Sequence, residues 1–241
     1  MTETAGKMNI IGIAGKAGAG KDTVANILVE KFGYAKVSFA DPLKRVALDL
    51  WGFTEEQLWG PSEKRNEPDP RWPKGHHFEG RHGICRRCSI VAKMSPEENG
   101  PCVHLSPREA LQILGTEVGR SIHEQTWTTY LLRVAGKLLT QGGWYSQTEG
   151  WAWPRINEIG FNHVGPGSYP GVVVADTRFP NEANAIKRVG GRMWLVDRPG
   201  IGLTGRAGSH ASETSMDGYE YTAVVPNGPL ETLEERVKSI L

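Results

Sequence analysis

Between Ile10 and Ala25 the chain reads I-I-G-I-A-G-K-A-G-A-G-K-D-T-V-A, and no other stretch limits its possible folds so strongly. Ile10, Ile11, Ile13 and Ala14 form an apolar run of strand length. A glycine-rich turn follows, then an apolar helical pattern at Val24, Ile27 and Leu28. Inside the turn, Gly15, Gly18, Gly20 and Lys21 make the pattern G-x-x-x-x-G-K in the strand–loop–helix setting that a phosphate-binding loop requires. Without a Cβ in the way, successive backbone N–H groups can curl inward into a nest for an anion. A helix starting near Asp22 adds its unsatisfied N–H groups and the positive end of its dipole. Lys21 supplies a mobile ammonium for β- and γ-phosphates. The expected ligand is a nucleoside triphosphate, held by Gly15, Lys16, Ala17, Gly18, Ala19, Gly20, Lys21, Asp22 and Thr23. One position departs from the common pattern: the residue after the lysine is Asp22, and the hydroxyl comes one later, at Thr23. Asp22 is suited either to capping the helix or to binding Mg²⁺, directly or through water.

The 241 residues suit one α/β domain with insertions. A net charge of +1 offers no global basic footprint for nucleic acid. No apolar run approaches bilayer-spanning length, and Met1 to Lys7 lacks a signal-peptide core, so a cytoplasmic protein without membrane partners is expected.

Strand and helix patterns alternate along the chain. Ala35 to Ala40 reads as a strand. Asp41-Pro42 opens a helix with an apolar face at Leu43, Val46, Ala47 and Leu50. Residues 60–105 hold Pro, Gly, His and Cys without a sustained period and read as an insertion. Ser106-Pro107-Arg108-Glu109 is a capping box opening a helix through Leu111, Leu114, Val118 and Ile122. Another helix runs from Thr126 to Leu139, and residues 140–170 read as irregular cover or loop. Gly171 to Asp176 is an apolar strand ending in an acid. Helix Pro180 to about Gly190, strand Arg192 to Val196, a glycine-rich loop from Arg198, strand Tyr221 to Val225 and helix Leu230 to Leu241 complete the chain. Strands apolar on both faces, alternating with helices, imply a parallel sheet covered on both sides, with ligands at the strands' carboxyl ends.

Three further groups carry chemistry. Asp176, closing V-V-V-A-D, is placed to hold Mg²⁺ opposite the phosphate loop. Arg178, two residues on, is placed to clamp a phosphate bidentately. All three cysteines fall in the insertion. Cys85-x-x-Cys88 and Cys102-x-His104 together form a tetrahedral set of the closed, structural zinc type, with His82 as a substitute for His104.

The runs F-A-D-P-L-K (Phe39 to Lys44), L-Q-I-L-G-T-E-V-G-R (Leu111 to Arg120), D-T-R-F-P-N-E-A (Asp176 to Ala183) and H-A-S-E (His210 to Glu213) resemble the deoxynucleoside monophosphate kinases of tailed bacteriophages, as does the Asp-Thr ending of the phosphate loop. These blocks span most of the chain in order. Residues 60–105 and 140–170 match no motif of that family. The resemblance implies a P-loop nucleotide kinase fold with a five-stranded, mostly parallel sheet flanked by helices; with the cysteine and histidine spacing read above, the expectation is a single domain carrying a small zinc-binding insertion. It implies transfer of the ATP γ-phosphate to a deoxynucleoside 5′-monophosphate, giving the diphosphate for DNA precursor synthesis. Lys21, Asp176 and Arg178 are then catalytic. Lys44, Arg65, Trp127, Asp176, Arg178 and Glu182 form the acceptor site, with Trp127 as a stacking face. Residues 198–216 become a lid carrying Arg206. ATP and Mg²⁺ are the implied cofactors, to which the spacing of the insertion's cysteines adds structural Zn²⁺, and dimers are common in that family. Two other readings stay open: a P-loop kinase of another small phosphate-bearing acceptor, or a P-loop ATPase switch whose zinc insertion, mildly basic, binds nucleic acid or protein.

Overall fold

The computed structural model describes residues 7–72, 81–84, 91–94, 104–152, 165–200, 214–228 and 230–241. The chain divides into two compact units, Met1–Asp41 with Gln125–Leu241, and Pro42–Glu124.

The first unit is built on a five-stranded parallel sheet. Its strands are β1 (Ile10–Ala14), β2 (Ala35–Val37), β7 (Val172–Val174), β8 (Arg192–Asp197) and β9 (Ala223–Pro226), ordered β2-β7-β1-β8-β9. β1 is central, with Ile11 opposite both Val173 and Arg192. Because side chains alternate across a strand, β1 serves two cores. Ile10 and Ala14 join the layer under α7 (Thr126–Thr140) and α8 (Pro180–Arg188), with Leu131, Val134, Leu138 and Ile186. Ile11 and Ile13 join the layer under α1 (Lys21–Phe32) and the C-terminal helix α9 (Leu230–Ile240), with Leu28, Trp194, Leu233 and Val237. The expected parallel sheet flanked by helices is therefore present. α1 stops at Gly33, whose φ of 71° allows Gly33 and Tyr34 N–H to return to the carbonyls of Val29 and Leu28.

Within 140–170 the structure corrects the expectation of an irregular stretch. β5 (Trp144–Ser146) and β6 (Gly150–Ala152) form an antiparallel hairpin. Trp151 Nε1 donates to the Gly142 carbonyl at 3.0 Å, and the Lys137 ammonium of α7 lies 4.2 Å from the Trp151 ring centre. Three-residue strands are too short to show a period.

The second unit holds α2 (Asp41–Trp51, whose first residue lies in the first unit), α3 (Glu55–Trp59), α4 (Ser62–Asn66), the hairpin β3 (Arg81–Ile84) with β4 (Val91–Met94), α5 (Pro107–Gln112) and α6 (Gly119–Ile122). Its core gathers Ala47, Phe53, Leu58 and Ala110, ringed by Trp51, Trp59, Trp72 and Leu105. The expected apolar face of α2 is only half right: Leu43 and Ala47 are buried, whereas Val46 and Leu50 are exposed, Leu50 by 63%. The helix expected from Pro107 to Ile122 is also corrected. Ser106 does cap it, accepting from Glu109 N–H, but Ile113–Val118 is a π-helix. Its wider turn comes where Gly115 lies against Leu43 and the Thr116 hydroxyl bonds the Gln112 carbonyl at 2.5 Å. The added width shifts the phase of a 3.6-residue stripe, so Val118 and Ile122 come out exposed, Ile122 by 77%.

Buried Asp69 anchors this unit's irregular segment. It accepts from Arg71 Nε at 3.0 Å, Arg71 Nη2 at 2.6 Å and Gln57 Nε2 at 3.0 Å. The Arg71 guanidinium leads in holding its pKa down to about 2. Cys85, Cys88, Cys102 and Arg206 lie outside the described residues, as does H-A-S-E at 210–213. His104 is described and is 3% exposed. Among the described residues no group of three or more His, Cys, Asp or Glu is arranged to hold a metal ion, and no helix is long and apolar enough to cross a membrane.

Candidate active site

The turn after β1 has the shape its glycines require. Gly15, Gly18 and Gly20 have φ of 150°, 79° and 90°. A Cβ on Gly15 would stand 2.5 Å from the Val196 carbonyl oxygen, and one on Gly20 would collide with the Asn227 side chain. Both positions therefore need glycine for space as well as for φ. Gly20 is the N-cap of α1 and Lys21 its first residue. The Lys21 ammonium donates to the Gly15 carbonyl at 2.7 Å and the Lys16 carbonyl at 2.9 Å, which centres it over the loop. From the far edge of the sheet, Asn227 Nδ2 donates to the Ala19 carbonyl at 2.5 Å, and Asn227 N–H donates to Asp197 O at 2.7 Å. Asn227 thus ties the loop to the end of β9, and within the loop Ala19 N–H donates to the Lys16 carbonyl at 3.1 Å.

A cleft of about 300 Å³ opens at the carboxyl ends of β1, β7 and β8. The phosphate loop lines it through Gly15, Lys16, Ala19 and Lys21, and Thr177, Arg178, Asp197, Arg198 and Asp217 complete much of its polar wall. Four cations face two acids, so the cleft suits an anion. Lys16 is paired with Asp217 at 2.5 Å. Tyr221 also lines the cleft, and burial, followed by the charge of Asp217, pushes its phenol up to about 12. It is therefore a neutral group at physiological pH.

The other sequence candidates fall into distinct places. Asp22 does not cap α1 with its side chain; its carboxylate is paired with Lys36 at 2.9 Å. Asp22 and Thr23 are not among the residues lining the cleft. Both oxygens of Asp176 hold the turn after β2: Oδ1 accepts from Phe39 N–H at 3.0 Å, and Oδ2 accepts from Ala40 N–H at 3.0 Å and from the Ser38 hydroxyl. Arg178 lines the cleft with its backbone held at both ends, since its N–H donates to Glu182 Oε2 at 2.8 Å and its carbonyl accepts from Ser215 Oγ at 2.6 Å. Glu182, itself buried, also accepts from Phe179 N–H at 3.1 Å, so it caps α8. Trp127 packs partly buried against the layer under α7 and α8 and is not among the cleft residues. Lys44 and Arg65 belong to the second unit: the Lys44 ammonium lies 5.4 Å from the Trp59 ring centre, and Arg65 Nη2 donates to Ser62 Oγ at 3.2 Å.

Several site residues escaped the sequence reading. Ser38, Thr177, Asp217 and Asn227 are single polar residues in loops, without spacing to mark them. Buried Asp41 accepts from Ser38 N–H at 3.1 Å and from the Tyr145 hydroxyl at 3.0 Å, so the β5–β6 hairpin braces the turn after β2. Only the A-D-P string hinted at it.

No family model matches the chain. It is 27% identical, over 97% of its own length and 95% of the other's, to a protein of Acanthamoeba polyphaga mimivirus named "Putative deoxynucleotide monophosphate kinase". It is 25% identical to the deoxynucleoside-5′-monophosphate kinase of Escherichia phage T5, over 51% of this chain and 60% of that protein. A likeness of this reach, on a parallel sheet with a phosphate loop at its centre, makes the chain a relative of the viral and phage deoxynucleoside monophosphate kinases.

Proposed function

We propose that the chain transfers the γ-phosphoryl group of ATP to a deoxynucleoside 5′-monophosphate. The observation that carries this reading is the glycine-built phosphate loop, with Lys21 over it and Arg178 lining the same cleft, on a chain with these relatives. An acceptor phosphate is already an anion at neutral pH, so no strong general base is required. One of its oxygens bonds to the γ-phosphorus as the bond to the bridging oxygen breaks, and ADP leaves. The protein's part is positioning and charge neutralisation. Lys21 serves the β- and γ-phosphates, and Arg178 the acceptor's phosphate.

Asp176 is better suited to positioning than to metal binding, because both its oxygens already accept hydrogen bonds. It acts through the turn it holds, as Glu182 acts through the Arg178 backbone. Mg²⁺ bound with ATP would supply charge neutralisation on the phosphates; for Asp22 and Thr23 as its ligands the support is the loop's sequence pattern alone, since Asp22 is paired with Lys36 and neither residue lines the cleft. The Ser215 bond to Arg178 supports a lid in residues 198–216, which by closing would exclude water. For Lys44, Arg65, Trp127 and Arg206 the support is the resemblance alone.

The test is conversion of each deoxynucleoside monophosphate with Mg-ATP, beside ATP with DNA. Acceptor-dependent formation of a diphosphate is expected, and Lys21→Met should lower kcat by about 10²- to 10³-fold. ATP consumption stimulated by DNA and by no monophosphate would favour a P-loop switch instead.

We also infer a structural zinc ion held by Cys85, Cys88, Cys102 and His104. C-x-x-C falls between two paired strands, with Ile84 opposite Val91, and His104 is buried. Metal analysis of protein purified without added zinc should find about one ion per chain, lost in Cys85→Ser. Metal-free wild-type protein would end this assignment.

A further inference from the structure

Thr177 stands between two residues whose roles are spoken for. Asp176 on one side holds the turn after β2, and Arg178 on the other lines the cleft. Thr177 lines that cleft too, as do Gly15 and Lys21. It is only 2% exposed, and its hydroxyl has no hydrogen-bond partner among the described residues. A buried hydroxyl in that condition is costly to the fold, and valine would fill the same space without the cost. The hydroxyl therefore points to a partner that comes with a ligand. With Lys21 and Arg178 in the same wall, the ligand atom that fits is an anionic oxygen, which accepts the hydroxyl's proton in a short, charge-assisted bond.

We propose that Thr177 is a phosphate ligand of the transfer site, its hydroxyl donating a hydrogen bond to an oxygen of a nucleotide phosphate in this cleft. The proposal rests on the nucleotide-kinase reading above. The phosphate belongs either to the ATP donor or to the monophosphate acceptor, and the chemistry is the same for both.

Thr177→Val removes the hydroxyl and keeps the shape; Thr177→Ser keeps the hydroxyl and removes the methyl. Thr177→Val should lower kcat/KM about tenfold or more while the melting temperature stays level or rises. Thr177→Ser should stay within about threefold of wild type. Calorimetric Kd values for ATP and for the monophosphate, measured separately, identify the source: weakening confined to one nucleotide assigns the contact to it. Unchanged kinetics and affinities in Thr177→Val would overturn the proposal. So would equal losses in Val and Ser, or a lowered melting temperature in Val, since either outcome marks a packing role. If wild-type protein phosphorylates no monophosphate, the kinase reading fails on its own. The ATP affinity of Thr177→Val then decides this proposal, a weakened one upholding it and an unchanged one ending it.

Discussion

Arg178 is held through its backbone on both sides, its N–H by Glu182 and its carbonyl by Ser215. Its guanidinium starts from a fixed backbone, so less freedom is lost when it grips a phosphate. Arg178→Ala should raise the acceptor's KM and lower kcat/KM by about a hundredfold, with a smaller effect on ATP. Arg178→Lys should recover only part, since an ammonium lacks the two-pronged fork. Steady-state kinetics with each substrate varied in turn checks both; equal losses for ATP and acceptor would move Arg178 to the donor side. Arg178 was legible in the sequence because it follows a strand that ends in an acid. Its anchors were not. Ser215 is 37 residues away, and a lone serine in a glycine-rich loop carries no pattern.

Elements differ in how openly they announce themselves. α1, α7 and α8 could be read because each carries caps or an apolar stripe through two turns or more. The π-helical turn and the short hairpins could not, because they break or fall below the period that reveals an element. The Asp69–Arg71–Gln57 cluster has a consequence for pH. The Asp69 carboxyl is held at about 2 in the fold, against an ordinary value of 3.8. A depressed carboxyl stabilises the folded state above its unfolded pKa, and that contribution is lost as pH falls from about 4 towards 2. Acid unfolding followed by tryptophan fluorescence should report this, since Trp51, Trp59 and Trp72 surround the neighbouring core. Asp69→Asn should be less stable at neutral pH, and its stability should fall less steeply below about pH 4. A variant with the wild-type acid profile would remove Asp69 from the account.

Across the whole molecule, β1 is where local pattern and long-range packing meet. Its alternate side chains enter both cores of the sheet, and Ile13 is fully buried against the layer under α1 and α9. Ile13→Ala should destabilise by about 2–5 kcal/mol, through lost transfer energy and a cavity that strands on both sides keep from collapsing. Urea denaturation measures it, and a cost under about 1 kcal/mol would mean the site relaxes freely. The sequence by itself determined the strand–loop–helix unit, the parallel character of the sheet and the glycine-rich turn at the end of β1. Those follow from glycine spacing and apolar period within a few neighbouring residues. Only the tertiary structure decided the strand order β2-β7-β1-β8-β9, the grip of Asp176 on the turn 136 to 138 residues before it, and the hold of Asn227 on Ala19, 208 residues away. Apolar strands carry the same hydropathy pattern in any order, and a single polar side chain names no partner until the sheet brings one within hydrogen-bonding distance.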